Sequence, residues 1–401
     1  MTAFSDLLRH HRRTAGYSYG QLADLTHWDR SHIAHLEAGR RAPSPEFAAV
    51  ADAALGAGGS LVAAQEREDA VRQADARTRR TLAASLAASR DLAALAELEL
   101  DDLASGAAET AVDYLSSPPA PMLQRAHALR DVGLERLRDH RHGPGERGDL
   151  LVTVGRLSGV LAYAALDLGD ADAAHEHAYA AGRCAQLAGD LELLLWVRGT
   201  QSLISRFAGD YEAALDFVED GIGRGGPGVP GTGMARLLSG RAQCLANLGD
   251  SPGTHATLDL AERAHDAAVV PDSVAGLFAF SPTKRAYYAG SSLIWPGGQG
   301  DAARAEREAG AAITQWQAMP AGERSLDDER LAHVYVATAR VQQGDVEGAT
   351  AAMAPILTLP EDAQISWIGK RAARVGALLA APRFRGGTAA DDLREAIRAI
   401  G

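Results

Sequence analysis

The side chains with the clearest chemical use stand in one short stretch: Arg30, Ser31, His32 and His35, then Arg40 and Arg41. Guanidinium forks, a hydroxyl and imidazoles can donate to and accept from base edges in a major groove. Arg40 and Arg41, together with the phenol of Tyr19, supply donors suited to backbone phosphates. A second set lies downstream, as polar side chains among apolar ones: Arg156, Arg198 with Gln201, Arg236, Arg241 with Gln243, Arg285 with Tyr288, and Arg340. Such donors, brought to one side of a partly dry groove, suit a carboxylate or a peptide backbone. The other reading is packing between helices, with each Arg paired to one of the many Asp and Glu.

The first set needs two short helices to hold it. Ser18 can cap a helix through Gln21, Leu22, Ala23 and Leu25, and Asp29 can cap a second one. Gly39 ends that second helix, where a left-handed residue is needed. Leu22, Leu25, Ile33 and Leu36 then face inward at helical spacing, and Arg30, Ser31, His32, Ala34 and His35 are left outside. A preceding helix, from about Phe4 to Ala15, turns Phe4, Leu7 and Leu8 inward and His10, His11, Arg12 and Arg13 outward. A following one, Pro43 to Leu55, adds Phe47, Val50 and Leu55 to a small core. Gly56, Gly58 and Gly59 then break the pattern and mark a domain boundary at 58.

The stretch from Ser18 to Gly39 resembles the Cro/repressor-type (XRE-family) helix-turn-helix. The residues carrying the match are Ser18, Leu22, Ala23, Asp29, Ile33, Ala34, Glu37, Gly39, Pro43 and Ser44. Two positions depart: His27 stands where the family usually has Gly, and Tyr19 where it usually has Gln. His tolerates the left-handed region better than a branched residue, and a phenol can still donate to a phosphate. The resemblance implies a lambda-repressor-like head, its second helix in the major groove of a double-stranded operator, and a homodimer.

Composition limits what the rest can be. Hydrophobic residues make up 46% of the 401 residues but aromatics only 5%, so the core is built from Ala, Leu and Val, which favours packed helices. The net charge of −12 argues against a broad nucleic-acid surface. Residues 1 to 58 balance to zero, so DNA binding must rest on a local patch that dimerisation doubles. Cys184 and Cys244 have no neighbour at metal spacing, which suits free thiols in a reducing cytoplasm. No signal-like run opens the chain and no apolar stretch approaches about 18 residues, so no membrane segment is expected.

Residues 59 to 120 read as a connecting helical region, with the charged stretch 65 to 80 as an exposed helix or a pairing surface between two chains. From 121 to 401 a repeat emerges. Gly-Asp pairs fall at 169–170, 189–190, 209–210, 249–250, 300–301 and 344–345, several of them between amphipathic helices. The Gly permits the turn and the Asp caps the next helix. One such pair cannot bury both its apolar faces, so the units must stack. The unit Phe207-Ala-Gly209-Asp210-Tyr211 and its neighbours resemble the tetratricopeptide repeat, at a looser spacing. Residues 278 to 296 gather Tyr287, Tyr288 and Trp295 beside Lys284 and Arg285, where they could close one end of a pocket.

The expected fold is therefore all-α: a helix-turn-helix head, then a tetratricopeptide-like α-solenoid. Together the two parts resemble bacterial regulators of the kind found in antibiotic-producing actinobacteria, which implies a cytoplasmic DNA-binding protein that senses a peptide or small molecule. A protein-interaction scaffold without specific DNA binding is the alternative. No enzyme is expected, since Gly-x-Ser-x-Gly, His-Glu-x-x-His and P-loop patterns are missing. The Gly-rich 223 to 233 reads as a loop, and His140, His142, His175 and His177 read as surface groups. Neither metal nor cofactor is expected.

Overall fold

The computed structural model describes residues 4–69, 72, 100–139, 142–226, 229–296, 298–359 and 365–399, and all regular structure among them is helical. The chain divides into two units, Met1–Ala87 and Ala88–Gly401. Most of the pairing surface expected over 65 to 80 lies outside the described residues, as does His140.

The first unit is a small helical head: α1 (Phe4–Thr14), α2 (Tyr19–Thr26), α3 (Arg30–Glu37), α4 (Pro45–Leu55) and α5 (residues 60–69). Local signals start and stop these helices. Ser18 and Gln21 form a reciprocal capping box at α2, and Ser44 caps α4 by accepting from the Phe47 amide. His27 takes the left-handed turn position, at φ 59°. Past α3, Gly39 (φ 66°) donates to the Leu36 carbonyl and Arg40 to the His35 carbonyl, a Schellman stop. Asp29 holds the N-cap position of α3, but its side chain makes no capping bond.

Phe4, Leu8, Leu22, Ile33, Leu36 and Phe47 form the centre of the head core. Two residues expected there face water instead: Leu25 is 47% exposed and Val50 37%. Their places are taken by Leu61 and Ala64 of α5, beyond the boundary expected at 58. Asp52 fastens α5, because its carboxylate accepts from the amides of Gly59 (2.7 Å) and Leu61 (2.9 Å). The glycines at 56, 58 and 59 are thus a turn inside the head rather than its end.

The second unit runs α6 (Leu100–Asp113), α7 (Pro119–Arg138), α8 (Pro144–Asp167), α9 (Ala171–Ala188), α10 (Leu191–Ala208), α11 (Tyr211–Arg224), α12 (Gly233–Asn247), α13 (Ser251–Asp266), α14 (Pro282–Leu293), α15 (Gln299–Gln317), α16 (Leu326–Gln343), α17 (Val346–Leu357), α18 (Ser366–Leu379) and α19 (Thr388–Ala399). Consecutive helices pack as hairpins, and α8, α10, α12, α14, α16 and α18 also pack on one another in turn. These even-numbered helices form the inner layer of the solenoid. Five of the six Gly-Asp pairs make the turn as expected: Gly169, Gly189, Gly209, Gly249 and Gly344 are left-handed, and each following Asp caps a helix. Gly300 and Asp301 instead fall in the first turn of α15. There Asp301 pairs with His255 at 2.9 Å.

Helix α8 is long and apolar enough to cross a membrane by length and composition, although Arg156 interrupts its apolar run. Its most apolar window is 72% buried within the solenoid, as a central helix of this layer must be.

Two features close the inner face. The loop between α13 and α14 runs back across it, burying Val274, Leu277 and Phe278. Trp196 donates to the Leu277 carbonyl (3.0 Å), and Asp272 accepts from Thr232 (2.7 and 2.8 Å). Gly276 (φ 69°) lies so near α6 that a Cβ would stand 2.4 Å from the Ala111 carbonyl oxygen. The two ends of the solenoid also meet. Trp367 of α18 donates to Asp167 at the end of α8 (2.8 Å), and Ser366 donates to the Leu166 carbonyl (3.1 Å).

Burial, and the nearby charge of Asp327, push the Asp167 carboxyl up to about 7, against the hydrogen bonds from Tyr114 and Trp367. Its folded pKa lies above its unfolded one, so its contribution to stability is complete below pH 4 and is lost as pH rises through about 7. Asp167→Asn should therefore flatten the fall of the solenoid's thermal midpoint between pH 4.5 and 8. Melting curves of the two proteins across that range test this; parallel profiles would refute it.

Candidate functional site

In the head, α3 presents Arg30, Ser31 and His35 to solvent, and Arg40 and Arg41 follow exposed after the Gly39 stop. Among the described residues none of these three arginines has an ion-pair partner, so their donors are free. His32 departs from the outward reading. Its ring lies 5.5 Å from Phe47 and 6.4 Å from Trp28, and its Nε2 is buried without a partner. Burial lowers its pKa, with Arg41 adding to the effect, so it packs as a neutral ring.

What holds α3 is a charge cluster that the sequence pattern did not reveal. Glu37 ends the helix with its side chain 1% exposed. Arg12, expected to face outward, turns in and meets it with Nε–Oε1 at 2.5 Å and Nη2–Oε2 at 2.9 Å. Hydrogen bonding to Glu37 raises the Arg12 pKa. Arg12 also donates to the Tyr17 carbonyl (2.8 Å), and Arg9 donates to the Glu37 carbonyl. Tyr19 donates its hydroxyl to Glu37 Oε2 (2.9 Å), beneath the Arg12 guanidinium 4.2 Å from its ring. Tyr19 is thus part of the clamp, and its proton is not free for a phosphate as the sequence reading had it. The cluster also alters the meaning of the head's zero charge. Glu37 and Asp52 are buried, so two of its carboxylates do not face an approaching polyanion.

In the solenoid the nine polar residues expected to line one groove divide. Arg198 pairs with Asp220 (2.6 Å) and donates to Gln201 (2.8 Å); Arg241 pairs with Glu219 (2.6 Å). Arg285 pairs with Glu262 (3.4 Å) and Arg340 with Glu306 (2.8 Å). Arg156 donates to Ser273 of the returning loop (2.7 Å). These six serve packing. Arg236, Gln243 and Tyr288 do converge, on a cleft with about 1020 Å³ of empty space that is partly open to solvent.

Every inner helix from α8 to α18 contributes to this cleft. Tyr163 and Asp167 come from α8, Arg206 from α10, Arg236 from α12, and Lys284, Tyr287 and Tyr288 from α14. Asp327 and Asp328 come from α16, Trp367 from α18, and Trp295 lies beyond α14. The aromatic segment from 278 to 296 thus meets the role expected of it. Arg206 and Asp167 were missed. Arg206 precedes a Gly-Asp turn, where a basic residue reads as an ordinary helix end. Asp167 had a usable signal, because an acid at a helix C-terminus opposes the dipole.

Both cysteines are free thiols whose pKa burial raises. His177 meets Arg130 through Nδ1 at 3.3 Å, in a structural contact. Among the described residues no cluster of three His, Cys, Asp or Glu has the geometry of a metal site.

Residues 3–65 match the family described as a helix-turn-helix domain, a span that reaches into α5. No curated protein matches the chain.

Replacing Glu37 by Ala would leave Arg12 buried without its counter-charge, at a cost of roughly 3–5 kcal/mol. Hydrogen exchange on the full-length chain should then show residues 30–37 losing protection while the solenoid helices keep theirs. Unchanged protection in α3 would show that the pair does not hold this helix.

Proposed function

We propose that this chain is a sequence-specific DNA-binding transcriptional regulator, active as a homodimer, whose helical-repeat unit senses an effector or partner. The observation carrying this reading is the free, exposed face of α3 in a head that matches a helix-turn-helix domain. Arg30, Ser31 and His35 read base edges, with Arg30 forked on a guanine. Arg40 and Arg41 hold backbone phosphates, and their position after a rigid helix stop fixes the register of α3 in the groove. Two heads read a pseudo-palindrome with half-site centres about one turn, ~34 Å, apart. Such a protein works in the cytoplasm.

Control follows if the solenoid has two states that differ in effector affinity and in how they space the two heads. The helical pairs resemble tetratricopeptide repeats, and the cleft they enclose is where the effector acts.

Arg30→Ala should relax sequence preference at one base pair and cost about 1–3 kcal/mol. Arg41→Ala should weaken binding evenly across sequences and reduce the salt slope by about 1 per head. Fluorescence anisotropy with DNA from upstream of the chain's own gene, titrated at several salt concentrations, measures both. If wild type binds no duplex even at low salt, the DNA reading fails and a protein-interaction scaffold takes its place.

A further inference from the structure

We propose that the interior cleft of the solenoid binds a small organic anion with a flat aromatic body, its acidic group held among Arg206, Arg236 and Lys284. The argument rests on how the solenoid treats its other charges. Arg198, Arg241, Arg285, Arg324 and Arg340 are each matched to a carboxylate. Arg206 and Arg236, each only 5% exposed, have none.

Arg206 meets only neutral groups: its Nε donates to the Ser202 carbonyl at 3.4 Å, and its guanidinium bonds to the Tyr288 side chain, whose ring lies 5.6 Å away. Arg236 meets only neutral groups: the Trp196 carbonyl, the Tyr163 hydroxyl (2.8 Å) and the Thr200 hydroxyl (3.0 Å). The ammonium of Lys284, also on the cleft wall, makes no salt bridge among the described residues, though it feels the charges of Asp328 and Asp272. Burying a cation without a counter-charge is expensive, and a chain with 52 acidic residues has carboxylates to spare.

The cleft's own acids are otherwise engaged. Asp167 accepts from Tyr114 and Trp367, Asp327 pairs with Arg330 (2.7 Å), and Asp328 accepts from Ser325 (2.6 Å). Asp328 is the acid nearest in effect to Lys284, which leaves Arg206 and Arg236 as the cations with no carboxylate partner for an anion from outside to meet. Tyr163, Tyr288 and Trp295 line the same space and supply aromatic surface against which a flat body can pack. The returning loop and the contact between α8 and α18 make this an enclosed cleft rather than a long trough, which favours a small molecule over an extended peptide. Gln243, whose amide could hold a peptide backbone, donates to Ser291 instead.

That such a ligand also controls DNA binding rests on the reading above; its binding does not. The test uses the full chain and a fluorescent aromatic sulfonate, 8-anilinonaphthalene-1-sulfonate, beside its uncharged counterpart N-phenyl-1-naphthylamine. The sulfonate should bind one site per chain at least tenfold more tightly than the neutral compound. Lys284→Met, with an unchanged circular dichroism spectrum, should weaken it fivefold or more, and Arg206→Met should do the same. Lys284→Met decides the matter alone if the arginine variant misfolds. Absence of binding, equal binding of the neutral compound, or sulfonate binding untouched by Lys284→Met would each overturn the proposal. The salt-dependent DNA titration without probe judges the regulator reading separately.

Discussion

A charge withdrawn from water must be met by an opposite charge or by well-aimed dipoles, and this constraint shapes both units. In the head it acts on Glu37, a carboxylate at the end of α3 where the helix dipole is already negative. Arg12 of α1, Tyr19 of α2 and the Glu37 side chain form one buried cluster, with Arg9 closing the last carbonyl. Three helices are thereby tied at one point. The tie lies on the inner side of α3, so Arg30, Ser31 and His35 on the outer side remain free. Structural contacts occupy one face of this eight-residue helix and leave the other exposed.

In the solenoid the same constraint separates arginines that pack from those left for another use. Carboxylates on neighbouring helices meet Arg125, Arg198, Arg241, Arg285 and Arg340, and these pairs tie one helix to the next. On the inner helices Arg156, Arg371 and Arg374 meet a hydroxyl or aromatic rings instead, and at the cleft two buried guanidiniums and an ammonium face shared space. That place is created by closure: a loop folded back over the inner layer, and α18 brought against α8 by the Trp367–Asp167 bond. Without closure the same side chains would line an open groove and stay hydrated.

Local signals were legible because they act within a few residues. Ser18 with Gln21, His27, Gly39 and five of the six Gly-Asp pairs named above each specify a cap or a turn through bonds to their own neighbours, whereas Ser44, read as part of a helix starting at Pro43, proved to be its cap. The apolar spacing of Leu22, Ile33 and Leu36 likewise marked the core of the head. Leu25 and Val50 misled, because helical spacing records a face but not which neighbour arrives to cover it. No neighbour covers those two; α5 closes the core elsewhere with Leu61 and Ala64, held by Asp52 across a run of glycines that reads in isolation as a linker. Arg12 misled for the opposite reason: beside His10, His11 and Arg13 it looks like one more solvated base.

The sequence by itself determined the all-helical class, the second helix of the helix-turn-helix and its Gly39 stop, and the stacking of helix pairs, since each depends on contacts within one or two turns of chain. Only the tertiary structure decided which cations are paired. Arg198 and Arg206 are alike in sequence, each an Arg on a helix rich in apolar residues. Asp220 on the next helix reaches the first, and no carboxylate reaches the second. Such partnerships depend on separations of tens to hundreds of residues, up to the 200 that part Asp167 from Trp367. No periodicity encodes them, because they follow from where the whole superhelix closes.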